Sequence, residues 1–320
     1  MHTPTPPPQG RMTSLLGYTL ISSLIIYLVY GFLQTIPLMY GMFVWLKTPI
    51  MYLTNAAASG GSAETIMQAW EKIIEIALSA EPILLFTFFS EIVLIFVVIY
   101  YCCKIEKLPI AAIGFVRKKA IRDYAIGIFV GALMLSAAVF ICVKAGALTV
   151  QTQSVNVLLV ILYFFAFLVQ GMAEEVLFRG YIFRRLCLGY SLLVSALISS
   201  LLFAVMHISN NGMATIAFLN MVVFGMFASL LVYRCDGSIW CVGALHGVWN
   251  FAQGNLFGIS VSGNSLMSSI FSSTLTQGRE LTNGGTFGLE GGIAVTLVLV
   301  LATAILWMLP QRNAPKKNKK

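Results

Sequence analysis

In the segment Gly171-Met-Ala-Glu-Glu-Val-Leu-Phe-Arg-Gly180, two carboxylates and an arginine follow an apolar run from Val155 to Gln170. Continued through these residues, the run is long enough for a membrane-spanning helix. Charged side chains at membrane depth are costly, and they face a bundle interior or a water-filled cavity. The stretch therefore predicts a buried polar site between membrane helices.

The composition of the whole chain agrees with this location. Of the 320 residues, 58% are hydrophobic and only 10% are charged, and the mean hydropathy is +0.88. Soluble domains carry roughly 25% charged residues. The composition therefore predicts an all-α, polytopic bundle of membrane helices. The net charge of +8 lies mainly in short clusters beside the apolar runs, which is typical of membrane topology and not of nucleic-acid binding.

About eight apolar runs have the length of a transmembrane helix, which is about 20 residues. They are Met12–Ile36, Ile83–Cys103, Tyr124–Val143, the run from Val155 through the acidic pair, Leu192–Met206, Met213–Tyr233, Ile239–Gly254 and Gly291–Leu309. Basic clusters follow the second, fourth, sixth and eighth runs. This pattern predicts that both termini are cytoplasmic and that the loops 47–81 and 255–290 face outward. Within the first loop, Ala63 to Ala80 has the spacing of a surface-lying amphipathic helix.

The two adjacent acids are expected to have different roles. Glu175 and Arg179 are four residues apart and share a helix face, so they can form an ion pair. Glu174 is turned about 100° away from Glu175. We therefore predict that Glu175 and Arg179 support the site, whereas Glu174 faces a cavity and acts as a general base on water.

Candidate partners for Glu174 stand further along the chain. His207 ends the segment Phe203-Ala-Val-Met-His207 and could hold the same water, while His246 and Asn250 share a helix face and could donate hydrogen bonds to an oxyanion. The sequence contains neither G-x-S-x-G nor H-E-x-x-H, the patterns of common serine and zinc hydrolases. Together these residues are sufficient for hydrolysis by an activated water.

Three further assignments remain open from the residues alone. Phe203 either packs in the core or shapes a groove, and Glu91 either lines the cavity or pairs with a cation such as Arg179. His207 also lies nearer the outer end of its run, at about 22 Å, than Glu174 does at about 15 Å. We therefore expect the fifth helix to be tilted, to begin later or to be partly re-entrant.

The order Glu174-Glu175-x-x-x-Arg179, Phe203-x-x-x-His207 and His246-x-x-x-Asn250 resembles the motifs of the CAAX prenyl protease type II family, also called the CPBP or CAAX amino-terminal protease family. The resemblance covers about Val155 to Gly254. It implies an intramembrane endopeptidase in which the first glutamate and first histidine activate water and the last histidine and asparagine stabilise the oxyanion. It further implies a membrane protein or a lipidated peptide, such as a prenylated one of the CAAX type, as substrate, and a bacterial cell membrane as location.

Other functions and one cofactor remain as alternatives. The acids could relay protons in a proton-coupled transporter, or the chain could be a non-catalytic membrane scaffold or immunity protein. No cofactor is firmly indicated, yet Glu174, His207 and His246 could together make a zinc site with an open position, as in a metalloprotease.

The sequence divides into five regions. They are a disordered N-terminal tail (1–11), an N-terminal transmembrane region with an outward loop and a basic cytoplasmic segment (12–150), the protease-like core (151–254), an outward loop with the last transmembrane helix (255–309), and a basic cytoplasmic tail (310–320).

Overall fold

A computed structural model of the protein describes residues 9–58, 60, 62–78, 80–266 and 268–309. The described residues are mostly helical, which confirms the predicted all-α class. Their α-helices are α1 (Gln9–Ala58), α2 (Ala63–Leu78), α3 (Ala80–Ser90), α4 (Ile92–Tyr100), α5 (Ala120–Lys144), α6 (Val157–Glu175), α7 (Arg184–Leu186), α8 (Leu192–Met206), α9 (Thr215–Arg234), α10 (Trp240–Phe251), α11 (Glu280–Asn283) and α12 (Ile293–Met308). The predicted tails fall largely outside this part of the chain.

Wider and tighter helical turns connect some of these helices. Stretches of π-helix continue α4, join α6 to α7 and extend α10, and 3-10 turns lie before α5 and before α12. The π-helices are Tyr101–Ile105, Val176–Phe183 and Ala252–Leu256, and the 3-10 turns are Ile110–Ile113, Gly285–Phe287 and Leu289–Gly291. The π-helix after α6 matters most for the site, because it begins directly after the acidic pair.

Five of the eight predicted membrane runs form helices that are long and apolar enough to cross a membrane. They are Ser14–Gly41, Ile83–Ile105, Ala120–Lys144, Val157–Leu186 and Thr215–Arg234. The other three predicted runs correspond to α8, α10 and α12, which have 15, 12 and 16 residues. A 15-residue helix is about 22 Å long, less than the roughly 30 Å hydrocarbon thickness of a bilayer. The chain is an integral membrane protein that combines five helices of full spanning length with three shorter ones.

The N-terminal helix differs from the predicted pattern. It continues through Pro37 and through residues 47–58, which the sequence assigned to a loop, and it reaches 50 residues. Helices in membranes tolerate proline when neighbouring groups satisfy the freed backbone. The helix expected from Ala63 is present as α2, where Met67 and Trp70 are exposed.

Helix α10 occupies the centre of the bundle, and small residues on its neighbours allow the close approach. A Cβ atom at Gly171 of α6 would collide with the backbone of Gly247 in α10, and one at Gly131 of α5 would collide with that of Leu245. Contacts of this kind need glycine because any side chain would separate the two backbones. They fix the height and rotation of α6 and α10 relative to each other.

The segment 255–290, predicted as a loop, folds back onto the bundle. Its strand β2 (Phe271–Leu275) pairs antiparallel with β1 (Leu148–Thr152), the segment that precedes α6. Asn255 and Asn210 donate side-chain hydrogen bonds to carbonyl oxygens of this segment, at 2.6 Å and 2.9 Å. The fold-back carries Ser262 and Glu290 to the cavity that holds the predicted site.

Candidate active site

Six of the eight predicted site residues line one cavity of about 280 Å³, and Glu175 and Arg179 do not. Helices α1, α3, α6, α8, α9, α10 and α12 and the fold-back segment contribute its walls. The side chains with acidic or imidazole groups that line it are Glu91, Glu174, His207, His246 and Glu290. None of the described residues lining this cavity is a lysine or an arginine.

Glu174 extends into this cavity and keeps one oxygen without a hydrogen bond. Its side chain is 16% exposed. Oε1 accepts a hydrogen bond of 2.6 Å from Nε2 of Gln170, one helical turn earlier. Oε2 has no hydrogen-bond partner among the described residues. A carboxylate that accepts a hydrogen bond at one oxygen and lacks a partner at the other is suited to accept a proton.

Two imidazole rings face the Glu174 carboxylate. Nε2 of His207 lies 4.0 Å from Oε1, and Nε2 of His246 lies 3.7 Å from Oε2. Both distances exceed a direct hydrogen bond, and polar groups at this separation can be bridged by a water molecule. The site can therefore hold a water or a substrate oxygen between the acid and the two rings.

The hydrogen bonds of both rings define where their protons lie. Nδ1 of His207 is 2.8 Å from the Phe203 carbonyl oxygen, which only accepts, so this nitrogen donates. Nδ1 of His246 is 2.9 Å from Oε1 of Glu175, and it donates to that carboxylate. In their neutral forms both rings therefore present an accepting Nε2 toward Glu174.

Glu175, at the end of α6, and Arg179, in the π-helix that follows, are fully buried and do not line the cavity. Nη1 of Arg179 donates to Oε1 of Glu175 at 2.9 Å. The guanidinium carbon of Arg179 lies 4.7 Å from the centroid of the Phe203 ring, within the range of a cation–π contact. This arrangement compensates a buried charge and, through Glu175, holds the His246 ring.

Phe203 and Glu91 have locations that the sequence left open. Phe203 is 1% exposed and packs against both histidine rings, with centroids 4.6 Å from His207 and 5.9 Å from His246. It lies in the core and also lines the cavity. Glu91 lies at the break between α3 and α4 and lines the cavity, and no ion pair joins it to Arg179 among the described residues.

Asn250 lies one turn after His246 and also reaches the cavity. Its Nδ2 donates to Oε1 of Gln170 at 2.9 Å, and its Oδ1 has no partner among the described residues. Gln170 therefore connects Asn250 to Glu174. Sequence reasoning passed over Gln170, although a polar residue one turn before Glu174 in an apolar run is the signal that would have found it.

Glu290 was also missed, because it stands at the end of the long predicted loop. Its Oε2 accepts hydrogen bonds from N and Oγ of Ser262, at 2.9 Å and 3.0 Å, and from Nε2 of Gln253 at 3.3 Å. Burial raises the pKa of Glu290, and the two bonds from Ser262 oppose that rise. No local pattern in the sequence reveals that this acid reaches the cavity.

His207 and Glu174 meet in the cavity, where Nε2 of His207 lies 4.0 Å from Oε1 of Glu174. The helix that carries Glu174 continues to Leu186, twelve residues later, which is about 18 Å. His207 caps α8 fifteen residues after its start at Leu192, which is about 22 Å. Part of the expected difference in depth between Glu174 and His207 arose because the helix that carries Glu174 was taken to end at Arg184.

Among the described residues, no group of three or more His, Cys, Asp or Glu side chains is arranged to hold a metal ion. Glu174, His207 and His246, the predicted zinc ligands, share the cavity without forming such a group. The geometry therefore gives no support to a metalloprotease.

Part of the chain matches a model of a known protein family. The family model described as "Type II CAAX prenyl endopeptidase Rce1-like" matches residues 156–252. Over these residues the chain is similar to the Rce1-like family. This match confirms the resemblance found from the motifs and nearly reproduces its limits. The Rce1-like segment contains α6 to α10 and all of the predicted motif residues, whereas Glu91 and Glu290 lie outside it.

No curated protein and no solved structure matches the chain. At the family level, the Rce1-like match supports a membrane protease of the CAAX type.

Proposed function

We propose that the protein is an intramembrane endopeptidase that hydrolyses a peptide bond of a membrane-associated substrate with a water activated by Glu174 and His207. The single observation that supports this best is the convergence of Glu174, His207 and His246 within 4.0 Å in one cavity. These residues come from three helices that are distant in sequence. The match of residues 156–252 to the Rce1-like family supports the same reaction class.

Water activation requires a base and a second acceptor. The open Oε2 of Glu174 takes one proton of the water, while the accepting Nε2 of His207 holds the other. The resulting hydroxide attacks the carbonyl carbon of the scissile peptide bond. General-base assistance of this kind contributes about 10²–10⁴-fold to a rate. Glu174 then returns its proton to the leaving amine, so that water is added across the bond.

The oxyanion formed by this attack needs hydrogen-bond donors. Nδ2 of Asn250 carries two hydrogens and uses one on Gln170, which leaves the second for the oxyanion. Nε2 of His246 donates there when its ring carries a second proton. Glu175 holds that ring through Nδ1, and Arg179 balances the charge of Glu175. Removal of one such donor typically reduces kcat by about 10²–10³-fold.

The walls of the cavity favour an apolar or lipidated substrate. Aromatic and aliphatic side chains surround the polar centre, among them Leu84, Phe88, Phe167 and Met206. A peptide presenting an apolar group beside the scissile bond would place that group against these side chains. A CAAX-type prenylated peptide is the first substrate to test.

The deciding experiment compares the wild type with Glu174→Gln in membranes. We expect the variant to insert and fold normally but to yield no cleaved product when membrane peptides are analysed by mass spectrometry. Glu64→Gln, which changes an exposed acid on α2, serves as the matched control and should cleave normally. Full turnover by Glu174→Gln would contradict the mechanism.

The same preparation separates the alternatives. A proton flux without any cleaved peptide would indicate a transporter. A cellular phenotype that Glu174→Gln leaves unchanged would indicate a scaffold.

A further inference from the structure

Gln170 makes the only side-chain link between Glu174 and Asn250 among the described residues. It is 7% exposed and lies on α6, one turn before Glu174. Its Nε2 is 2.6 Å from Oε1 of Glu174, and its Oε1 is 2.9 Å from Nδ2 of Asn250. A single buried amide thus contacts the proposed base and the proposed oxyanion donor.

The direction of these two bonds is fixed by chemistry. A carboxylate only accepts hydrogen bonds, so the NH₂ group of Gln170 must face Glu174. Its carbonyl oxygen must then face Asn250, and Asn250 must present its own NH₂ group to avoid opposing two carbonyl oxygens. Neither amide can flip without losing a hydrogen bond in a buried setting, where an unpaired polar group costs about 1–3 kcal/mol.

The relay determines which groups remain for the reaction. Glu174 has Oε1 occupied and Oε2 open, and Asn250 has one N–H occupied and one N–H left. We infer that Gln170 is a positioning residue that orients Glu174 and Asn250 together, so that base and oxyanion donor address the same peptide carbonyl. This inference rests on the proposed function, and it assigns a role to a residue outside the three motifs.

Two substitutions separate the bonds of Gln170. Gln170→Met has nearly the same shape and removes both bonds. Gln170→Glu keeps the acceptor for Asn250 but replaces the donor to Glu174 with a second carboxylate. Gln34→Met is the control, because Gln34 donates a comparable interhelical hydrogen bond of 2.9 Å to Ser90 and does not line the cavity.

The measurement is kcat and KM for one membrane peptide, with folding checked by thermal unfolding in detergent. We expect Gln170→Met and Gln170→Glu to lower kcat by about 100-fold, the scale of a displaced reacting group, while KM changes less than about threefold. Gln34→Met should keep the wild-type kcat. Because Gln170→Glu keeps the size and the Asn250 bond, it still reports on positioning if Gln170→Met does not fold.

Coupling between residues provides the independent test. If Gln170 acts through Asn250, then Asn250→Ala should lower kcat far less in the Gln170→Met background than in the wild type. An unchanged kcat, a loss confined to KM, or additive effects of the two substitutions would overturn the inference. Inactivity of Glu174→Gln together with full activity of Gln170→Met would refute the role of Gln170 alone, whereas activity of both would refute the proposed function.

Discussion

Glu174 and Glu175 are adjacent in the chain and occupy opposite environments. Glu175 belongs to a sealed network with Arg179 and Nδ1 of His246, in which the two charged side chains have no exposed surface. Glu174 lines the cavity together with Gln170, His207 and Asn250, and Glu175 does not. In both acids Oε1 accepts hydrogen bonds, and Oε2 has no partner among the described residues. The two side chains are turned about 100° from each other on α6, so that one lies in the cavity and the other in the buried network, and His246 contacts both.

The two glutamates differ in the groups that donate hydrogen bonds to their carboxylates. In the sealed network a guanidinium and an imidazole satisfy one carboxylate oxygen. In the cavity a single neutral amide does so. A neutral donor leaves the carboxylate free to exchange a proton, whereas a fixed cation holds its charge in place.

Arg179→Met should give the largest effect, and it tests the sealed network. The substitution leaves Glu175 buried without its cation, and breaking such a pair costs about 3–5 kcal/mol. We expect a strongly lowered thermal unfolding temperature in detergent. Combining it with Glu175→Leu removes both charges and should restore much of the stability. Equal stability of Arg179→Met and the wild type would show that the network is not structural.

Gly171→Ala should have the second largest effect, because it disturbs the contact that fixes α6 against α10. The added methyl group would collide with the backbone of Gly247, and overpacking of this kind costs about 1–3 kcal/mol. We expect lower stability and reduced cleavage together. Gly17→Ala is the matched control, since a Cβ there meets nothing within 4 Å. Tolerance of Gly171→Ala would mean that α6 and α10 can separate without consequence.

Glu290→Gln should have a smaller, pH-dependent effect at the cavity wall. Burial raises the pKa of Glu290, so the folded state binds this proton more tightly than the unfolded state does. Its contribution to stability is therefore complete at acidic pH and is lost as the pH rises from the ordinary glutamate value through the raised one. We expect Glu290→Gln to weaken this decline, measured as the unfolding temperature across pH. An identical pH dependence would contradict the assignment.

Chelation should have the smallest effect. Because the predicted zinc ligands do not form a metal-binding group, treatment with a chelator is expected to change the cleavage rate less than about twofold, within the range expected without loss of a Lewis acid. The check is activity before and after dialysis, with metal analysis of the purified protein. If chelation abolished activity and added zinc restored it, Glu174 would be assigned to metal binding instead of proton transfer.

Local sequence patterns are sufficient to predict much of the fold and part of the candidate site. Long apolar runs predict helices regardless of their neighbours, and a spacing of four residues predicts the pairing of Glu175 with Arg179. Hence the order of the motifs was sufficient to recognise the family. The catalytic assignments of Glu174, His207, His246 and Asn250 remain predictions.

The remaining features depend on contacts between distant segments. The strands β1 and β2 are five residues each and pair across more than a hundred intervening positions, so neither is recognisable alone. Glu290 reaches the cavity only because the segment before it folds back. Gln170 was missed for a different reason, since attention to charge overlooks a neutral amide in an apolar run.

The π-helical stretch after Glu175 has a consequence for comparing related sequences. From Val176 to Phe183 the backbone has wider turns than an α-helix, which accommodates extra residues without lengthening the span. A one-residue gap in an alignment at this place would mean a change of helix type, not a shortened loop. It would also rotate Arg184 and Arg185 away from their partners Gly237 and Glu106, so such a gap predicts altered contacts at the end of the span.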